Sequence, residues 1–532
     1  MKALDPDVSG ASRAAASLRG AGAAPRRPRA AALLPSPVQV HEREIRSRLG
    51  GIRAAGLLET RSYIGGEWRD AAVRTAVRDP ATGRALIEAS FCDASSIDAA
   101  IDCAASAQAG WSERLPAERG GALRRWAAAM RAHRAPLADL VTLEQGKPTA
   151  EATAEIDYAA DFMDWFAGEA ERLYGETFPS HKPGSRTTVD LQPVGVAGIV
   201  TPWNFPSAMI ARKAAAALAA GCSVVAKPAA DTPLSALALA RLAEHAGIPP
   251  GVFNVVHGEP VALTNRLLAD ERVRAFSFTG STDTGRLLLG KAATSVKRVS
   301  MELGGHAPFI AYDDCALDDA VRGCMAAKFA TSGQDCLAVN RVYVQRPIYD
   351  AFCERLAAAT ARLTIGHGLA PDIRIGPMTN RPVADKCRSH IRDALDKGAR
   401  CLAGGQTDES AGNFVIPTLL ADADDSMRIA REETFGPVLA VMPFDTEDEA
   451  LARANGTEMG LAAYAYTRSL ARAARASRRL QFGMVAINTP SFTGPPVPFG
   501  GWKQSGLGRE GSRHGVSEFL ELKYTCIGGL AN

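Results

Sequence analysis

From about residue 194 the chain alternates in a way that leaves few folds open. Five short apolar, β-prone runs (194–201, 222–227, 252–256, 275–278 and 298–301) are separated by four stretches of helical spacing (206–220, 233–246, 260–268 and 284–294). Consecutive parallel strands need a crossover, and a helix supplies it, so this alternation predicts a parallel α/β sheet. Sheets of this kind bind ligands beyond the carboxyl ends of their strands. The segments at those ends are 201–205, 227–230, 279–285 and 303–306.

At 532 residues the chain exceeds a single hydrophobic core and implies several domains. Before the alternation, residues 97–170 are mostly helical in spacing, as in Leu123, Trp126, Ala127 and Met130. After it, 307–478 is a second mixed region and 518–525 alternates like an edge strand. Regular structure is expected to begin near Arg61, where Ser62, Tyr63 and Ile64 lead into a Gly65-Gly66 turn.

Charge and composition remove several function classes. The net charge of +3 is too small to suggest a nucleic-acid partner, and it sits in residues 1–40, where Lys2 and five arginines face only Asp5 and Asp7. That segment reads as a disordered or targeting-like extension, and a mis-assigned start would look the same. A hydrophobic fraction of 46% with 22% charged residues is that of a soluble globular chain. No uncharged apolar run reaches the ~20 residues of a membrane span. The longest candidate, 207–226, is interrupted by Arg212 and Lys213. Ten cysteines scattered from Cys92 to Cys526 are no disulfide framework, and with no CxxC or HExxH no metal site is expected.

Two motif matches fail on context. Gly506-Leu-Gly508-Arg-Glu-Gly511 fits GxGxxG but follows no β-run and reads as a turn-rich loop. Gly285-Arg-Leu-Leu-Leu-Gly290-Lys291 imitates a P-loop, yet Ala292 stands where a magnesium-binding hydroxyl belongs, and its three leucines read as a buried helix face. Residues 277–285 (SFTGSTDTG) fall where a strand ends and a helix starts, which suits either a phosphate cradle or an ordinary helix capped by Ser281.

Three further segments each allow a structural reading: Asn204 as a helix cap, Glu302 as a satisfied buried carboxylate and Cys336 as packing. Together, Thr201-Pro-Trp-Asn204-Phe-Pro, Met301-Glu302-Leu-Gly-Gly and Gly333-Gln-Asp-Cys336 resemble the aldehyde dehydrogenase superfamily. Lys227-Pro228, Phe278-Thr-Gly-Ser281, Glu433-Thr-Phe435-Gly-Pro437 and Pro498-Phe-Gly-Gly501 extend the resemblance from about Arg61 to Gly529. Residues 206–213, 508–512 and 520–524 are most similar to the succinate-semialdehyde dehydrogenases.

The resemblance implies a Rossmann-like cofactor-binding domain (46–175 and 195–304), an α/β catalytic domain (305–505) and a small β oligomerisation arm (176–194 and 506–532), with 1–45 outside. It implies Cys336 as nucleophile, Asn204 as oxyanion donor and Glu302 as general base for hydrolysing a thioester. It assigns Thr201, Trp203, Lys227, Ala230, Gly280, Ser281, Gly285, Leu303, Glu433 and Phe435 to NAD or NADP, and Arg212 and Thr493 to the substrate. It further implies a small aldehyde as substrate, a homodimer or homotetramer, and a cytoplasmic location, with the mitochondrial matrix as the alternative if the extension is a presequence.

Three positions depart from the pattern. Ala230 replaces a glutamate that bonds the adenosine ribose in NAD-preferring members, so NADP is tolerated. Ala330 replaces the second of two carboxylate-binding arginines. Ala338 replaces a cysteine that pairs with the nucleophile in some relatives, so no disulfide switch is expected. The other readings are the same chemistry on uncharged aliphatic or aromatic aldehydes, and a non-catalytic structural or ligand-binding protein on this fold.

Overall fold

The computed structural model describes residues 37–408 and 411–530. The predicted alternation forms the centre of an eight-stranded sheet. Its order is Glu67–Arg69, Ser62–Ile64, Phe253–Val255, Ser223–Lys227, Val196–Val200, Val273–Thr279, Arg298–Glu302 and Gly506–Leu507. The five middle strands are parallel, and the chain winds outward to both sides of Val196–Val200. Register brings Val200 level with Lys227 and Phe278, and Thr279 level with Glu302. The four predicted ligand-facing segments therefore leave the same edge of the sheet.

The crossover helices follow from local chemistry. Pro206 opens the helix Pro206–Ala220 at a position where its missing N–H costs nothing, and Gly221, in the left-handed region at φ 96°, closes it. All fifteen residues are buried, because the alanines let the Thr149–Ala170 helix and the sheet approach closely. Arg212 and Lys213, which break the apolar run in sequence, lie inside this buried helix. Leu123, Trp126, Ala127 and Met130 enter the same core from the Pro116–Ala132 helix.

A second sheet of seven strands has the order Arg400–Ala403, Thr418–Ala421, Val438–Phe444, Val339–Gln345, Ala307–Ala311, Ala462–Tyr466 and Met484–Ile487; only its first pair is antiparallel. A third, antiparallel sheet joins Leu520–Ile527, Arg186–Pro193 and Glu176–Phe178. It brings together the two chain segments expected to form an arm.

Three expectations are corrected. Regular structure precedes Arg61: Glu42–Ala54 is a helix anchored by buried Ile45 and Ile52, so residues 42–45 belong to a helix and not to an extension. Residues 1–36, the bulk of that extension, lie outside the described residues. Leu287 and Leu289 are exposed and only Leu288 is buried, since adjacent helical residues point about 100° apart and cannot share a face. Gly506 and Leu507 are a strand, not loop, pairing antiparallel with Leu507 opposite Met301 and Gly506 opposite Glu302.

Candidate active site

Cys336 follows a 3-10 turn, Ala330–Gly333, in which Thr331 and Ser332 hold left-handed φ values of 48° and 57°. Such backbone costs roughly 1–3 kcal/mol per residue and persists where its surroundings enforce it. Here Thr331 N–H donates to Glu151 Oε2 (2.8 Å), and Gly376 N–H donates to Ser332 Oγ (2.8 Å). Cys336 opens onto a cavity of about 450 Å³ that also meets Arg212, Tyr158, Thr493, Ala330, Glu151 and Asp335.

Asn204 is no helix cap, because Phe205 occupies that position without a side-chain bond. Its Nδ2 donates to Gln334 O (3.0 Å), two residues before the thiol, and Oδ1 has no partner among the described residues. Lys147 fixes the corner from behind. Fully buried, it donates from Nζ to Asn204 O (2.7 Å) and pairs with Glu155 Oε2 (2.6 Å). Glu155 Oε1 accepts from Ser207 and Ala208 N–H, the free donors of the helix that carries Arg212.

Glu302 is 2% exposed and neither carboxylate oxygen has a hydrogen-bond partner among the described residues, so the reading of a satisfied buried carboxylate fails. Burial and the nearby Glu510 push its carboxyl well above the ordinary range, against the pull of Arg212 and Lys213. A Cβ at Gly500 would lie 2.9 Å from Glu302 Oε1, so glycine there leaves room for the carboxylate. Burial, then Asp335 and Glu433, push the Cys336 thiol up, while Arg212 opposes them.

Glu510 is the residue that sequence reasoning missed. It sits inside the rejected GxGxxG match, buried, and pairs with both Arg212 and Lys213. Lys213 Nζ also donates to Ser277 Oγ (2.9 Å). Arg212, expected to bind the substrate, is thus already paired with a carboxylate. Its guanidinium carbon lies 4.3 Å from the Phe499 ring centroid. The only available signal was the pair Arg212-Lys213 in an apolar run, which demands a buried anion without saying which one.

The residues assigned to a cofactor converge at the sheet edge. Lys227 is 4% exposed, makes no hydrogen bond or ion pair among the described residues, and is pulled down to about 8 by burial. Thr201 Oγ1 and Thr279 Oγ1 are buried and unpartnered. Ser281 accepts from Thr284 N–H (3.4 Å) at the start of Thr282–Ala292, so the helix is capped, and its N-terminus, just after Gly280, still faces the same edge. A Cβ on Gly285 would collide with Leu303. Trp203 and Phe435 meet edge-on at 5.5 Å, with Phe435 held at φ 60°. Glu433, raised to about 7 by burial, accepts from Gly305 N–H (2.9 Å). Ala230 is exposed beside them. An orphaned buried ammonium, two orphaned hydroxyls and a helix N-terminus form a donor set that suits an anionic dinucleotide.

A strand-edge cleft that suits a dinucleotide, beside a cavity onto which a thiol opens, is the arrangement of an oxidoreductase. The chain belongs to the aldehyde dehydrogenase family, whose profile matches residues 68–525. It is 49% identical over 476 residues to the NADP-linked succinate-semialdehyde dehydrogenase of Escherichia coli, covering 89% of this chain and 99% of that one. It is 47% identical over 515 residues to human mitochondrial succinate-semialdehyde dehydrogenase, covering 95% and 96%. Among solved structures, Staphylococcus aureus betaine aldehyde dehydrogenase in complex with NAD+ is similar with a TM-score of 0.88 and 33% identity, over 91% of this chain and 98% of that one. The protein is an NAD(P)-dependent oxidoreductase of aldehydes. No described helix is long and apolar enough to cross a membrane.

Proposed function

We propose that the protein oxidises a carboxylated semialdehyde such as succinate semialdehyde to the acid, through a thioester on Cys336. The observation that carries this reading is that Cys336 and Arg212 line one cavity, with Asn204 Nδ2 bonded two residues before the thiol and Glu302 within electrostatic reach of it. Cys336 Sγ attacks the carbonyl carbon, and the carbonyl electron pair becomes an oxyanion held by Asn204 Nδ2 and the Cys336 N–H. Losing one such donor typically costs about 10²–10³ in rate. The thiol must ionise against its burial, and Arg212 is the cation that opposes that burial.

A bound NAD or NADP supplies the acceptor for the hydride that leaves the aldehyde carbon. Lys227, Thr201, Trp203, Gly280 and Ser281 would hold its adenosine and pyrophosphate half, and Leu303, Glu433 and Phe435 its nicotinamide riboside. Ala230 leaves space and no repelling carboxylate for a 2′-phosphate, so both cofactors are accepted. Glu302 then takes a proton from water, the water oxygen attacks the thioester carbon, and the thiolate leaves. A carboxylate whose proton affinity is raised by burial suits that general base.

Arg212, with Thr493 and Tyr158 beside it, is the group for the substrate carboxylate. The reading divides the chain into cofactor-binding, catalytic and arm segments as the resemblance implies. It further proposes a homodimer or homotetramer built through the third sheet, and a cytoplasmic site with the mitochondrial matrix as alternative. The test is kcat/KM for succinate semialdehyde and butanal, with each cofactor, in wild type and Arg212→Ala. The succinate semialdehyde to butanal ratio falls about tenfold in the variant if Arg212 holds the carboxylate. An unchanged ratio refutes the carboxylate site and favours uncharged aldehydes. Absence of turnover with every aldehyde and either cofactor refutes the enzymatic reading.

A further inference from the structure

The substrate cavity carries the wrong balance of charge for a site that only binds anions. Its one arginine, Arg212, is already paired with Glu510, and the position facing it from the Cys336 segment is Ala330. The same walls hold two carboxylates, Asp335 and Glu151, that make no ion pair among the described residues. Each is held through a single backbone N–H: Leu337 N to Asp335 Oδ1 (3.0 Å) and Thr331 N to Glu151 Oε2 (2.8 Å). Those bonds orient the carboxylates in the cavity wall, where the Cys336 thiol also meets Asp335.

Nearby cations are otherwise engaged. Lys147 is committed to Glu155 and Asn204 O. Lys147 and Arg374 lie within electrostatic reach of Glu151, and Lys147 and Arg212 of Asp335, but none of them bonds either carboxylate. Burial raises the proton affinity of both Asp335 and Glu151 and outweighs the pull of Lys147 on each. Two oriented carboxylates without an ion pair among the described residues, one adjoining the nucleophile, are a recognition element for a cationic hydrogen-bond donor.

We propose that the cavity takes an aldehyde whose chain carries an ammonium group, bound by Asp335 and Glu151, in addition to any carboxylate that meets Arg212. This rests on the reading of Cys336 as the nucleophile and names the substrate class more narrowly. Asp335 and Glu151 are specificity-determining residues in it.

Two matched pairs isolate the ammonium: propanal against 3-aminopropanal, and 4-oxobutanoate against 2-amino-4-oxobutanoate. Within each pair the kcat/KM ratio cancels whatever a variant does to the thiol itself. In wild type the aminated member is favoured at least about tenfold, the size expected of one charge-assisted hydrogen bond. In Asp335→Asn, Glu151→Gln and their double variant the ratio falls towards one.

A second measurement needs no turnover. The alkylation of Cys336 by 2-bromoethylammonium and by iodoacetate is followed by peptide mass spectrometry and normalised to a free thiol. Wild type favours the cationic reagent, and Asp335→Asn loses that preference. Aminated-to-plain ratios at or below one in wild type, ratios unchanged in the variants, or equal alkylation preferences overturn the proposal. Turnover of propanal without an ammonium preference refutes this inference alone, whereas absence of all turnover refutes the nucleophile reading and leaves the alkylation result to decide the ammonium site.

Discussion

Lys147→Met tests whether the corner that carries Asn204 is held by a buried ion pair. Both side chains of the Lys147–Glu155 pair are fully shielded from water, with Nζ 2.6 Å from Glu155 Oε2, 2.7 Å from Asn204 O and 3.9 Å from the Phe205 ring centroid. Methionine nearly preserves the volume, so the loss is electrostatic. Glu155 keeps its two N–H donors from Ser207 and Ala208 but loses its cation, which costs about 3–5 kcal/mol for a buried pair broken on one side. The freed Asn204 carbonyl adds a lost bond to a charged donor of about 1.5–3 kcal/mol. The two overlap because they share one ammonium, so the expected drop in unfolding free energy stays near 3–5 kcal/mol. Urea unfolding at matched protein concentration measures it. Lys147→Met/Glu155→Gln removes both charges and should recover at least half of the loss. In the folded single variant, kcat should fall at least about tenfold with little change in cofactor KM, since Asn204, the proposed oxyanion donor, loses its anchor. A single variant within about 1 kcal/mol of wild type, or a double variant whose loss equals the sum of the singles, would refute the reasoning.

Other outcomes follow from the same geometry. Glu302→Gln should keep a burst of reduced cofactor stoichiometric with Cys336 and then stall, visible in stopped-flow absorbance; an unaltered steady state would show that another base activates water. Ala230→Glu should shift kcat/KM towards NAD by at least about tenfold by repelling a 2′-phosphate. Lys227 has its ammonium held at about 8, below the ordinary 10.5, so its charge is lost as pH rises through 8. Cofactor affinity by titration calorimetry should decline above that pH in wild type and lose this dependence in Lys227→Met. His257 and His390 are buried neutral and held near 4 against an ordinary 6.5. The unfolded chain binds their protons first, so the stability they contribute is present above 6.5 and is lost as pH falls towards 4. The loss is on the order of 3 kcal/mol for each, read from urea midpoints across that range.

Local signals carried most of the fold. Pro206 and Gly221 bracket their helix in sequence as they do in space, and the β-runs landed within two residues because each is buried on both faces and so reads as continuously apolar. The Glu42–Ala54 helix escaped because its apolar anchors are so few, Ile45 and Ile52 among them, in a stretch rich in charge and glycine. Asn204, Glu302 and Cys336 were legible through their motifs. Glu510 was not, since its partner Lys213 lies 297 residues away, with Arg212 next to it, and its own neighbourhood looked like loop. Long-range charge pairing has no local period to read. Asp335 was visible beside Cys336, but its lack of an ion pair among the described residues is a property of the assembled cavity.

The Glu510 contact also sets an order of events during synthesis. Arg212 and Lys213 lie deep in the first sheet's core, and the carboxylate that neutralises them belongs to a stretch made 297 residues after Lys213. Until that stretch leaves the ribosome, the nascent protein must keep two cations solvated or hold its central helix away from the sheet. Closure of the catalytic cavity is thereby tied to synthesis of the segment around residue 510, and a chain truncated before Glu510 would lose its core together with its chemistry.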